Sequence, residues 1–262
     1  MKNNVYRVLL LMGLALQSSL ATAQNFESTQ PAARVEHWQK RQSEISTYLQ
    51  QSKDLGAVKL LFVGDSITDF WLFDDNPWVS GQKYGRKIWD QTFATPGTEN
   101  FAFNIGISGD RLEHVLYRIL PKSQGGLGHL DSPALNPEFL IVMLGINNSW
   151  AAEQPVAESI YQGVLANLRA LHARKPNARI VLQSLLPTND AAKNKDLVLL
   201  VNQRLEALAK TAADLVRQAR EDVRDPVKAP LTLARLQDLG VFNDLSSSPA
   251  DSTLNDRKVA AF

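Results

Sequence analysis

The sequence predicts an α/β protein built on a parallel sheet. Three observations carry that expectation. Four short apolar runs lie at residues 58–63, 99–105, 138–144 and 178–184. Helical stretches separate them, most clearly at 110–120 and 155–174, and another at 196–221 follows the fourth run. Strands that alternate with helices build a parallel sheet covered on both faces. Functional residues of such sheets gather at the carboxyl ends of the strands.

Taken in order, the chain opens with a segment that reads as a secretory signal. Lys2 and Arg7 supply positive charge, Val8 to Leu16 an apolar stretch, and Ala21-Thr22-Ala23 an A-x-A cleavage pattern before Gln24. The apolar stretch is short of the ~20 residues that a spanning helix needs. Residues 1–23 are therefore set apart as a signal peptide, with the periplasm or secretion as destination; a buried or amphipathic N-terminal helix is the alternative. Within 24–57, residues 31–52 predict an amphipathic helix with Val35, Trp38, Ile45 and Leu49 at helical spacing. Residues 58–221 hold the strands and helices of the main domain. The stretch 70–96 reads as long and irregular, with Trp71, Phe73, Trp78 and Trp89 among Gly, Pro and Asp. It either walls a cleft or tucks its aromatic rings onto the core. Residues 222–262 form a divergent tail whose closing run, 243–262, is rich in Ser, Asp and Asn and reads as disordered.

Composition narrows the function classes. At 262 residues the chain is long enough to bury a full core. Apolar residues make up 44%, charged residues 21%, and the net charge is +1. That balance, with both signs mixed along the chain, leaves no electrostatic footprint for nucleic acid or an anionic membrane. No cysteine is present, which excludes disulfides, thiolate metal sites and a cysteine nucleophile. Phosphate-binding loops are absent too: no Gly-x-x-x-x-Gly-Lys-Ser/Thr occurs, and Gly106-Ile107-Ser108-Gly109 lacks the full Gly-x-Gly-x-x-Gly pattern.

Chemistry concentrates at three strand ends. The first strand runs into Gly64-Asp65-Ser66, which exposes Ser66 as a candidate nucleophile where a helix begins. The second ends in Asn104-Ile105-Gly106-Ile107-Ser108-Gly109-Asp110-Arg111, where Gly109 can offer a backbone N–H near a helix start. The third ends in Gly145-Ile146-Asn147-Asn148, where the Asn147 carboxamide can donate to the same oxygen. Each piece also has a plain structural reading, as a turn glycine or a helix cap. Their succession at the ends of consecutive strands favours acyl transfer, which needs a nucleophile and donors for the oxyanion. Asp65 and Trp71, flanking Ser66, are the candidate substrate contacts; Trp71 and Trp78 together suggest sugar binding.

The three blocks resemble the SGNH (GDSL) hydrolases: Gly64 to Trp71, then Asn104 to Arg111 with Glu113-His114-Val115-Leu116 behind it, then Gly145 to Asn148. The branch most similar is that of platelet-activating-factor acetylhydrolase catalytic subunits, over about residues 58–210. The resemblance implies a flavodoxin-like three-layer α/β/α fold and hydrolysis of carboxylic esters with no metal or other cofactor. It implies Ser66 as nucleophile and an oxyanion hole of the Ser66 N–H, the Gly109 N–H and the Asn147 side chain. Small-molecule or carbohydrate esters are the expected partners, with no nucleic acid and no stable membrane insertion.

One block of the family pattern does not match. The family ends in Asp-x-x-His after a fifth strand, the His taking the serine proton and the Asp orienting it. Here Asp222 to Pro230 gives no convincing strand, Asp238-Leu239-Gly240-Val241 carries valine in place of histidine, and no histidine follows His172. His37 reads as a surface or packing residue and His114 as locally structural. His129 follows Gly125-Gly126-Leu127-Gly128 in a mobile-looking loop that reaches toward the cleft in one reading, and His172 suits a helix end. Two accounts fit: a frameshifted or truncated gene product, favoured by the abrupt change after about residue 212, or a divergent protein that kept the cleft as a noncatalytic binding module for acylated glycans.

Overall fold

The computed structural model describes residues 25–34, 38–76 and 79–222. The signal-like segment 1–23, His37, Trp78 and the tail from residue 223 lie outside the described residues, and so do the sequence readings placed on them. Four strands, β1 (Leu60–Gly64), β2 (Ala102–Asn104), β3 (Phe139–Met143) and β4 (Arg179–Leu182), form one sheet in the order β2-β1-β3-β4. All pairings are parallel. The order matches the start of the flavodoxin-like arrangement 2-1-3-4-5, in which the chain steps outward from β1 in both directions. The predicted α/β class and flavodoxin-like sheet are therefore those observed, with four strands among the described residues.

The helices are α1 (Trp38–Gln51), α2 (Ser66–Asp69), α3 (Arg86–Thr92), α4 (Leu112–Ile119), α5 (Val156–Arg174) and α6 (Leu199–Asp222). The helix expected over 110–120 starts only at Leu112, because Gly109 sits at φ +79° and Arg111 is extended. The helical path expected from 196 begins earlier, with a turn at Ala191–Lys193 and a π-helical turn at Asn194–Val198 that lead into α6.

Strand register sorts the sheet into two unequal faces. Leu61, Val63, Phe103, Leu140, Val142 and Ile180 share one face and are all buried. They belong to a single apolar core with Ile45 of α1, Val115 and Ile119 of α4, Ile160, Val164 and Leu168 of α5, and Val201 and Leu205 of α6. On the other face lie Leu60, Phe62, Ile141 and Met143, which are half-buried, and Val181, which is 42% exposed. That face is covered near β1, where Trp89 and Phe93 set their rings edge-on to Phe62 at centroid distances of 5.2 and 5.4 Å.

The covering comes from the stretch 70–96, expected to be irregular. It holds the 3-10 turn Phe70–Leu72 and α3, and its aromatic residues pack on one another. Phe70 stacks on Tyr84 at 4.6 Å, Trp71 meets Phe93 edge-on at 6.2 Å, and Trp89 is buried. Of the two readings of this stretch, packing onto the sheet is the one that holds for Trp89. Helical periodicity was hard to read there because Arg86–Thr92 is only two turns long.

Candidate active site

At the end of β1 each residue of Gly64-Asp65-Ser66 has a separate physical task. A Cβ at Gly64 would stand 1.9 Å from Thr68 Oγ1, so only glycine lets α2 turn back this closely over the strand. Asp65 is the N-cap of α2, and its Oδ1 accepts from the Ile67 N–H at 3.0 Å. Such a cap is worth about 1 kcal/mol. Ser66 then becomes the first residue of α2, half-buried at the mouth of the turn.

The loop after β2 is stapled to that turn. Pairing continues past the strand, with Ile105 N–H donating to Phe62 O and Ile107 N–H to Gly64 O. Asn104 Nδ2 donates to Thr68 O at 2.7 Å while its Oδ1 accepts from the Gly106 N–H at 2.8 Å. Asp69 Oδ2 accepts from both the Ser108 N–H and the Ser108 hydroxyl, at 3.0 and 2.7 Å. Arg41 reaches from α1, placing Nε 3.1 Å from Asp69 Oδ1 and donating from Nη2 to Asn104 O. A Cβ at Gly106 would lie 2.7 Å from Asp69 N, so the two segments are in direct backbone contact.

Gly109 and Asn147 meet at Asp110. Gly109 is exposed, with the left-handed φ that suits glycine. The next residue, Asp110, is fully buried, and its backbone carbonyl accepts from Asn147 Nδ2 at 2.8 Å. An amide nitrogen carries two protons; one is held by Asp110, and the other is left to donate elsewhere. Asn147 does not cap the segment after it: the N-cap of α5 is Pro155, with no side-chain cap. Asn148 Oδ1 accepts from Leu112 N–H at the start of α4, and Asn148 Nδ2 donates to Glu113. Among the described residues, neither the Ser66 N–H nor the Gly109 N–H has an acceptor. The sheet register sets these loops side by side, since β1 lies between β2 and β3 and Gly64 is level with Met143.

The remaining sequence candidates sit differently. Asp65 is 1% exposed, so its carboxylate serves the turn and faces inward. Burial pushes its pKa up to about 6, aided by the nearby Asp110 charge. Trp71 is half-buried and packs against Gly85 and Phe93. His129, expected in a loose loop, is buried at 2% exposure, with Nδ1 3.5 Å from Arg118 Nη1. Burial and that guanidinium hold it well below the ordinary histidine range. His114 uses Nδ1 to accept from the Arg111 N–H, and burial lowers its pKa to about 4. Ser66 Oγ makes no hydrogen bond to a histidine among the described residues. Among the described residues, no three His, Asp or Glu side chains converge as metal ligands.

Sequence reasoning missed the arginines. Arg118 is fully buried, donating from Nε to Asp110 Oδ2 and from Nη1 to Ile105 O, each at 2.8 Å. Arg34 donates from Nη1 to Asp110 Oδ1 and Ser108 O. An arginine in an amphipathic helix normally marks the solvent side, so no local signal announced Arg118. The usable hint was Asp110 itself, a carboxylate just ahead of the apolar face of α4, which demands a partner once buried.

The model of the GDSL-like lipase/acylhydrolase family matches residues 62–245. The alpha2 subunit of human platelet-activating factor acetylhydrolase IB is 30% identical over 131 residues, 50% of this chain and 45% of that protein. The alpha1 subunit from Pongo abelii is 27% identical over 165 residues, 63% of this chain and 58% of that protein. The chain thus spans about half the length of these relatives. A solved structure described as a GDSL-like lipase from Parabacteroides merdae aligns at TM-score 0.38 and 20% identity, over 59% of this chain and 74% of that one.

Proposed function

Because the chain belongs to the GDSL-like lipase/acylhydrolase family of ester hydrolases, we propose that Ser66 is its nucleophile and that small acyl esters are its substrates. Acetyl esters, O-acetylated carbohydrates and lysophospholipids make up the substrate class, in keeping with relatives named as acetylhydrolases. The observation that carries the reading is the Asn147 carboxamide, anchored through one proton by Asp110 beside the open Gly109 N–H.

In the proposed reaction Ser66 Oγ adds to the ester carbonyl carbon as its proton leaves, and the carbonyl electron pair moves onto oxygen. The Ser66 N–H, the Gly109 N–H and the free Asn147 Nδ2 proton receive that oxyanion. Collapse breaks the bond to the alcohol oxygen, which takes a proton, and water then releases the acid from acyl-Ser66. Each oxyanion donor contributes about 3–4 kcal/mol in the transition state of such reactions. The base is the weak half of the site. Among the described residues no histidine bonds Ser66 Oγ; where no base reaches it, the proton passes to water, and the oxyanion hole and binding alone supply ~10³–10⁴-fold over the uncatalysed rate. The signal-like segment 1–23 supports export to the periplasm or beyond as the place of action.

The same lack of a histidine partner at Ser66 favours a second reading, a noncatalytic cleft that binds acylated glycans. Hydrolysis of p-nitrophenyl acetate by the folded protein and by Ser66→Ala separates the two. Turnover that disappears in the variant supports the nucleophile. Equal rates for both, with acylated glycan binding retained, refute it in favour of the binding module.

A further inference from the structure

We infer that Asp110, clamped between Arg34 and Arg118, is the positioning residue that holds the oxyanion donors in register with Ser66. The inference rests on the proposed role of Ser66, Gly109 and Asn147. Asp110 follows Gly109 directly, so the carbonyl that holds Asn147 Nδ2 and the amide offered by Gly109 belong to neighbouring residues, with one peptide group between them. Wherever Asp110 moves, both donors move with it.

Its carboxylate is held from two sides. Inside, the fully buried Arg118 binds Oδ2 and extends Nη1 to Ile105 O, with Gly64 O 3.5 Å from Nη2. The same guanidinium therefore spans the ends of β1 and β2, two residues before Ser66 on one side and five before Asp110 on the other. Outside, Arg34 binds Oδ1 at 2.9 Å and Ser108 O at 3.0 Å, and its Nη2 lies 3.0 Å from where a Cβ on Gly109 would stand. Burial alone pushes the Asp110 carboxyl up, and both guanidiniums pull it back toward the charged form. A buried pair of this kind contributes less to stability than to fixing one arrangement, because desolvation offsets most of its Coulombic gain. Here the arrangement fixed is that of the donors. Preorganised donors act on charge that develops only in the transition state, so loosening them lowers kcat and leaves KM nearly unchanged.

Three variants of the full chain test this: Asp110→Asn, Arg34→Ala and Arg34→Lys, with Arg204→Ala as a control, whose ion pair is with Glu158 of α5 and not with Asp110. Arg34 is partly exposed, so its variants fold even where Asp110→Asn does not. The expected result is a tenfold or greater fall in Ser66-dependent kcat for Asp110→Asn and Arg34→Ala. KM should stay within about twofold, Arg34→Lys should recover most of the rate, and Arg204→Ala should match the parent. A parallel readout needs no turnover: the Asn147 side-chain NH₂ resonances, assigned by their loss in Asn147→Asp. One anchored, slowly exchanging proton is expected in the parent and its loss in Arg34→Ala. A parent without Ser66-dependent turnover removes the nucleophile reading and leaves the resonances to decide the positioning. Unchanged Asn147 resonances, or a kcat within twofold in folded Arg34→Ala and Asp110→Asn, overturn the inference.

Discussion

The strand ends beneath Ser66 and the outer side of β4 belong to the same sheet, yet they are held by different means. At the first, glycine contacts, an N-cap, two buried carboxylates and three arginines join β1, β2 and the loop after β3 within a few residues. At the second, Arg179 and Val181 face outward and Ile141 and Met143 are only half-covered. Apolar burial is non-directional and tolerates slack. A site that must place donors around one oxygen needs directional bonds to over-determine it. The contrast teaches where this sequence concentrates its costly polar burial: at the carboxyl ends of β1 and β2.

Four substitutions break or sharpen that contrast, from the largest expected effect to the smallest. Arg118→Met leaves the buried Asp110 carboxylate without its inner partner and should destabilise the fold by about 3–5 kcal/mol, read from urea unfolding midpoints. Gly64→Ala forces a methyl group against Thr68, and an expected loss of about 1–3 kcal/mol should come with loss of Ser66-dependent turnover. If both Gly64→Ala quantities stay at parental values, the close approach of α2 to β1 is not required.

Acid sensitivity gives the third. His114 has a folded pKa of about 4 against an ordinary 6.5, so the folded state binds fewer protons than the unfolded one across that window. Stability from this group is present above pH 6.5 and is lost as the pH falls through 4. Asp65 runs the other way. Its folded pKa is raised from 3.8 to about 6, so its contribution is present below 3.8 and lost as the pH rises through 6. His114→Gln keeps an acceptor for the Arg111 N–H and should flatten the loss of stability between pH 6.5 and 4. An unchanged pH profile would show that the ring does not titrate in this window. The smallest effect belongs to β4: Val181→Thr, on the exposed side, should stay within about 0.5 kcal/mol of the parent. A loss above 2 kcal/mol there would mean that the outer face is covered in solution.

Much of this was readable from the chain alone, for reasons that separate cleanly. The four strands, α4 and α5 were visible because apolar periodicity is a local property, while the flavodoxin-like arrangement was what the family resemblance implied. Ser66, Gly109 and Asn147 were visible because each ends an apolar run with a residue type unsuited to continuing it. Helix α3 was hidden in a stretch too short to show a period. The inward turn of Asp65, the bond of Asn148 to the start of α4, and the burial of His129 depend on partners far along the chain. The clamp of Arg34 and Arg118 on Asp110 was equally invisible, since an arginine's charge marks it for solvent until folding supplies a carboxylate and carbonyls around it. The sequence by itself determined which residues stand at the strand ends. Only the tertiary structure decided what holds them there, because a buried ion pair is made by two segments that meet only once the core has closed.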